Sequence, residues 1–409
     1  MDKRNFLFIF LITLSVVFFH QWWTGKKNAD AKAQEKVAVV EQQVDYSASK
    51  PSSDEKFYVL ENEFQQIVFS NVGGSIAEMN LPFGKIINPI GFDKTLENSY
   101  PAEATFPTKS AMIVKGGTQV ALEPKVGGYT PLFRRSPTEF YSMNVQTGRS
   151  DKKSVKYAVK SFSETEIVFE GSDDARRITK TFRFPKEGAN APYCIECDIQ
   201  VNGDGRDLWL TSGVPEVELV SGAYSPYIRY SQKQGSKSVV EKVKLPKEMI
   251  TMHTLHPSWI CNANSFFGVI MNPISDVSSG MEASMIPGVF DPTRLSVIDA
   301  QHRLYPAEKY SGYEVKLPLK SGVSKYRIYA GPFQSSILKQ VDATYKGENL
   351  NFIQAKSITG WYSFIAEPFA KFLFFLLNAF HTMTSSWGIS IILLTIALRV
   401  MMFPLNNWS

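Results

Sequence analysis

The sequence predicts a mainly β exported domain flanked by transmembrane α-helices and an interfacial amphipathic helix. Three observations predict it. Stretches free of Asp, Glu, Lys and Arg lie near the two ends, at 5–25 and 372–398. Between them, 57–332 alternates short β-branched and aromatic runs with Gly, Pro, Asn and Asp clusters. Five of the seven tryptophans (Trp22, Trp23, Trp361, Trp387 and Trp408) flank the apolar ends, where an aromatic belt at a membrane interface belongs.

Composition excludes several classes. Across 409 residues, 44% are hydrophobic and 20% charged, with a mean hydropathy of −0.13. Such averages do not describe a wholly disordered chain, a collagen, or a polytopic membrane protein over most of its length. A net charge of +5 from 44 basic and 39 acidic residues is too balanced to argue for nucleic acid. Cys194, Cys197 and Cys261 are the only cysteines, so this is no disulfide-rich scaffold.

Residues 1–25 read as an N-terminal transmembrane anchor. The apolar run 6–19 is preceded by Lys3 and Arg4 and closed by Trp22, Trp23, Lys26 and Lys27. A cleaved signal peptide is the competing reading, with Ala29-Asp30-Ala31 as a small-residue cleavage site. The run outlasts the usual ~7–15 residues and the Trp and Lys pairs intervene, which favours the anchor. Residues 26–56, rich in Ala, Lys, Glu, Gln and Ser, read as a flexible linker. Residues 57–332 read as a large β-sandwich, with strands expected at 66–70, 166–170, 179–184 and 325–329. Residues 333–360 form a connecting helix and loop, with a short helix over 335–345.

Residues 361–382 read as an amphipathic interfacial helix. At ~100° per residue, Ser363, Lys371, Asn378 and His381 fall within about 40° of Glu367. Phe369, Phe372, Leu373, Phe375, Leu376 and Phe380 cover most of the remainder, and Phe374 breaks the pattern. A narrow polar stripe on an aromatic helix suits the plane of an interface. An ordinary second span is the alternative, because the stripe is thin. After a polar break at 382–386, residues 386–409 read as the start of a second transmembrane helix. As a helix, 388–405 would be about 27 Å long.

Chemistry-bearing motifs are sparse. Cys194 and Cys197 form a C-x-x-C, but on a strand rather than at a helix N-terminus, where a thiolate would be stabilised. His253 and His256 lack the further ligands of a metal site. There is no G-x-S-x-G, Walker loop or GxGxxG, and Arg134-Arg135 and Arg176-Arg177 read as solvated charges. The expectation is no enzyme, no cofactor, no metal and no nucleic acid. Arg399 stands apart. It lies about 18 Å into the last apolar helix, where a guanidinium costs about 2.5–3.5 kcal/mol on insertion scales. It either lines a wet cavity with Thr395, one turn earlier, or snorkels to the far interface.

These residues resemble a known family. The start Met1-Asp2-Lys3-Arg4-Asn5-Phe6-Leu7, the turn Asn71-Val72-Gly73-Gly74-Ser75-Ile76, Tyr329-Ala330-Gly331-Pro332 and Gly360-Trp361-Tyr362 each contribute weakly. Ser386-Trp387-Gly388-Ile389-Ser390-Ile391-Ile392-Leu393-Leu394-Thr395-Ile396-Ala397-Leu398-Arg399, followed by Phe403-Pro404-Leu405, contributes strongly. Together they resemble the N-terminal part of the YidC/Oxa1/Alb3 family of membrane protein insertases. The resemblance implies a multi-pass protein of the bacterial inner membrane whose large periplasmic β-super-sandwich is mutarotase-like. It implies a hydrophilic substrate groove holding Arg399 and Thr395, and an interfacial helix carrying Glu367, Lys371 and Asn378. It also implies nascent membrane proteins, the Sec translocon and the lipid bilayer as partners. The family's remaining core helices do not follow before Ser409, so the expectation is that these 409 residues alone are no competent insertase, whether as a fragment or as a truncated reading frame. A membrane-tethered periplasmic glycan-binding module and a passive scaffold β-sandwich are the competing functions.

Overall fold

A computed structural model describes residues 39–42, 54–82, 105–126, 128–147, 156–217, 224–234, 237–275, 278–298, 305–356 and 363–407. The expected anchor at 1–25, His302, and most of the expected linker lie outside them. The chain divides into two compact units, Met1–Ala355 and Lys356–Ser409.

The first unit is a β-sandwich. Its largest sheet has nine strands in the spatial order Ala158–Phe162, Glu166–Ser172, Arg176–Arg183, Cys194–Gly203, Gly322–Pro332, Phe267–Pro273, Pro257–Asn264, Pro226–Gln234 and Lys237–Val243. Every neighbour in it is antiparallel. One six-stranded sheet runs Val39–Gln42, Met249–Met252, Met281–Ile286, Gly312–Leu319, Leu208–Thr211 and Val145–Thr147. A second runs Thr118–Leu122, Ala111–Lys115, Phe57–Glu61, Gln66–Ser70, Ser75–Pro82 and Tyr129–Pro131. Its one parallel pair joins Phe57–Glu61 to Ala111–Lys115.

Period-two patterning places the core. In Glu166–Ser172, Ile167, Phe169 and Gly171 turn inward; in Arg176–Arg183, Ile178, Lys180 and Phe182 do. Register then sets Phe182 beside both Ile167 and Cys197. From the second six-stranded sheet, Phe69 packs on Phe182 with ring centroids 4.9 Å apart. From the other, Leu210, Val315, Leu317 and Ala283 join the same core. Burial of this kind contributes about 25 cal/mol per Å² of apolar surface.

Val39–Gln42 differs from the composition reading of its segment. Two β-branched residues let it pair with Met249–Met252 as the sheet's edge strand, inside the stretch expected as a linker.

Among the described residues the α-helices are α1 (Arg294–Ile298), α2 (Ser335–Thr344), α3 (Ser363–Thr384) and α4 (Trp387–Asn407). α2 and the segment after it cover the outer face of the nine-stranded sheet. Leu338, Val341, Leu350 and Phe352 are buried there, and the Trp259 indole N–H donates to the Leu350 carbonyl at 2.7 Å. Arg327 lies flat on the Tyr345 ring, 3.4 Å from its centroid, and pairs with Glu348.

Candidate functional site

The residues expected to matter lie on α3 and α4, in the second unit. α3 begins two residues after the expected start at 361 and runs on to Thr384. Glu367, Lys371 and Asn378 are all on it. The side chains of Glu367 and Lys371 lie outside the described residues; Asn378 is half-buried, and its carbonyl accepts from the Thr382 hydroxyl at 2.9 Å. Phe369, Phe372, Phe374 and Phe375 are exposed, so aromatic surface dominates the described part of the helix.

The helices part at Ser385 and Ser386. Ser385 adopts φ 51°, a left-handed conformation unusual for a residue with a Cβ. Its N–H donates to the His381 carbonyl at 2.7 Å, closing α3. Two side-chain pairs bridge the corner. The His381 imidazole stacks on the Trp387 indole, centroids 3.8 Å apart and planes 9° from parallel. The Thr384 and Ser390 hydroxyls meet at 3.1 Å, where one donates to the other; the Thr384 oxygen also lies 2.8 Å from the Phe380 carbonyl and the Ser390 oxygen 2.6 Å from the Ser386 carbonyl, and whichever hydroxyl accepts has its proton free for its carbonyl. Sequence reasoning saw this stretch only as a polar break. The signal it held was the spacing of six from His381 to Trp387, repeated from Thr384 to Ser390.

Along α4, Ile389, Ile391, Ile392, Ile396 and Val400 are all more than half exposed, while Ser390 is fully buried. Thr395 and Arg399 are both exposed and one turn apart on the same face. The Thr395 hydroxyl turns back to the Ile391 carbonyl at 2.8 Å, leaving the guanidinium as the cation of an otherwise apolar surface. No groove closes around Arg399 among the described residues. Nor, among them, is any helix long and apolar enough to cross a membrane, a statement that says nothing of β-barrels.

The β unit offers other polar groups. Cys194 lies on the outer face of its strand and Cys197 on the core face, yet both are buried because both faces of the sheet are covered. Burial pushes the Cys194 thiol up to about 12 and the Cys197 and Cys261 thiols higher still, which keeps them protonated and unreactive. His253 and His256 are both exposed in one turn. Among the described residues no three His, Cys, Asp or Glu side chains come together to hold a metal ion.

Lys180 was missed from sequence. It is fully buried, and its Nζ donates to the Gly73 carbonyl at 2.6 Å and the Met143 carbonyl at 2.7 Å, 5.1 Å from the centre of the Tyr157 ring. Burial pulls its amine down to about 7. Two carbonyl acceptors with no carboxylate among its bonds make it a tie between sheets rather than a reaction centre. The Asn71-Val72-Gly73-Gly74 turn is what it holds, so one of the weaker family-like motifs is explained by packing.

No family model matches the chain. Among curated proteins it is similar to the "Membrane protein insertase YidC" of Chlamydia caviae, 38% identical over 387 residues, covering 89% of this chain and 48% of that one. The protein of the same description from Chlamydia trachomatis serovar D is 38% identical over 385 residues, covering 88% of this chain and 48% of that one. The chain thus spans about half the length of the curated relatives it matches. Among solved structures, the periplasmic domain of Thermotoga maritima YidC overlays with a TM-score of 0.30 at 10% identity, covering 72% of this chain and 94% of that one. An overlay this loose carries no argument, and the architecture rests on the strands described above.

Proposed function

Over the half of their length that it spans, the chain belongs with the YidC family of membrane protein insertases, and from that premise we propose that it serves to insert and fold proteins in the bacterial inner membrane. In this reading 1–25 anchors the chain and the β unit stands in the periplasm. α3 lies along the interface with Glu367, Lys371 and Asn378 toward water, and 386–409 start a crossing that the described part of α4 does not by itself complete. Sec-delivered nascent membrane proteins are the substrates, and lipid is the solvent of the helices. The exposed isoleucines of α4 support the crossing, because such a surface is stabilised by hydrocarbon and not by water.

One observation carries the mechanism: a single cation in that surface. Arg399 in hydrocarbon costs about 2.5–3.5 kcal/mol on insertion scales, so its place on α4 calls for a wet niche. Such a hydrophilic groove, with Thr395 as a neighbour, attracts an acidic or polar stretch of an entering chain while the apolar stretch passes into lipid. No bond forms or breaks, so the work is positioning and solvation rather than enzymatic catalysis.

The test is insertion of an acidic-tailed client in cells depleted of their own insertase and supplied with this protein in its full-length form. Arg399→Ala is expected to lower insertion about tenfold, roughly 1.4 kcal/mol, while Arg399→Lys keeps most of it. Full insertion by Arg399→Ala would leave a snorkelling arginine on a tethered sandwich.

A further inference from the structure

The corner between α3 and α4 holds more side-chain structure than a connection needs. We infer that it is a positioning device which turns Arg399 away from α3, with His381, Thr384, Trp387 and Ser390 as its positioning residues. The inference deepens the insertase reading and rests on it for its purpose, but its geometry stands separately.

The corner is over-determined. A left-handed residue with a Cβ persists where its surroundings hold it, and Ser385 sits between two clasps. One clasp is apolar: the His381 ring lies parallel on Trp387 at 3.8 Å, and its Nδ1 is buried with no hydrogen-bond partner. The ring is therefore held by stacking. The other clasp is polar: the Ser390 hydroxyl reaches both Thr384 and the Ser386 carbonyl, with no exposure to solvent. The Ser386 N–H also approaches the Thr384 hydroxyl at 3.4 Å, a local turn that leads the chain from α3 into α4.

These contacts fix the rotation of α4. Ser390 faces α3. Nine residues on, at about 100° each, Arg399 lies about 180° around the helix from Ser390, and Thr395 about 140°. The polar strip therefore points away from α3, and the niche that solvates Arg399 is built on the far side. α3 is excluded as a wall of it. Loosening the corner would let α4 roll and carry the guanidinium toward apolar surroundings.

Pulsed electron–electron distance measurements on the whole chain test this, in vesicles of phosphatidylethanolamine and phosphatidylglycerol. Nitroxides are placed through Phe372→Cys and Ile396→Cys; the native thiols are buried and protonated, so labelling is selective. The native corner is expected to give one narrow distance. Adding Trp387→Ala and Ser390→Ala is expected to broaden the distribution about twofold, whereas Trp387→Phe, which keeps a ring under His381, stays narrow. Circular dichroism of the β unit in each variant separates a loosened corner from a misfolded chain. An unchanged narrow distance in the double alanine variant overturns the inference, as does a broad one in the native chain. If the distances behave as expected but Arg399→Ala inserts clients normally, the corner stands and the insertase reading falls.

Discussion

Lys180 lies on the core face of the nine-stranded sheet between Phe169 and Ile199, where pattern alone expects an apolar side chain. As a neutral amine it still has two N–H donors, one for each carbonyl it meets. Its amine falls to about 7 in the fold against about 10.4 in an open chain. Between those values the unfolded chain binds more protons, so stability rises with pH. Above about pH 8.5 the buried thiols, raised by burial, act in the opposite sense. The rise is therefore read between about pH 7 and about pH 8, where urea unfolding should show up to about 1.4 kcal/mol per pH unit. Lys180→Met should flatten that slope; an unaltered slope would remove Lys180 as its source. Glycine matters at two neighbouring positions. At Gly73, φ +73, a Cβ would sit 2.4 Å from Asn144 Oδ1, and at Gly171 one would meet the Tyr157 ring at 2.8 Å. Gly171→Ala should cost about 1–3 kcal/mol, measured by thermal melting, and an unchanged melt would mean the ring moves aside freely. The helix position of Arg399 and the strand position of Cys197 were legible in the sequence, because a cation in an apolar run and a period-two pattern are local signals. Lys180 was not, because its carbonyl partners are 107 and 37 residues away.

Among the elements, strands declared themselves most clearly. Gln66–Ser70, Glu166–Ser172 and Arg176–Arg183 carry β-branched and aromatic runs closed by turn residues, and each is a strand. Val39–Gln42 did not, since four residues inside a polar stretch show no period and gain their partner from Met249–Met252, some 210 residues on. The sheet order was equally illegible: antiparallel neighbours such as Cys194–Gly203 and Gly322–Pro332 meet through long-range packing that no window of sequence contains. α2 depends on burial rather than capping, for Gln334 makes no capping bond. Leu338→Ala should therefore cost about 2–5 kcal/mol and unseat the segment after it, visible as faster amide exchange over 346–355. Native exchange rates there in the variant would show that α2 holds nothing down. For α3, Phe375 is 66% exposed, and removing one large ring forfeits about 2 kcal/mol of apolar transfer. Phe375→Ser should weaken attachment to vesicles about tenfold or more in flotation; equal flotation would take that face out of the interface.

At the scale of the whole molecule, two units divide the labour. The β unit owes its stability to its three large sheets, which share one main core beside two smaller apolar clusters, and to the cover over its outer face, so 54–355 should unfold in a single cooperative transition in urea. Two separated transitions would show that the sheets fold apart. Of the described side chains of the second unit Ser390 alone is buried, and in the proposed reading its exposed isoleucines and phenylalanines meet lipid. The depth at which the charge of α4 comes to rest decides between a wet niche and a snorkelling arginine, and spin-label accessibility along that face measures its surroundings. With nitroxides at Arg399→Cys, Thr395→Cys and Val400→Cys in vesicles, positions 399 and 395 are expected to collide with a water-soluble nickel chelate while position 400, about 100° round the helix at nearly the same depth, collides with oxygen dissolved in lipid. Oxygen-dominated collisions at all three positions, or a label at 399 resting among the headgroups, would contradict the wet niche.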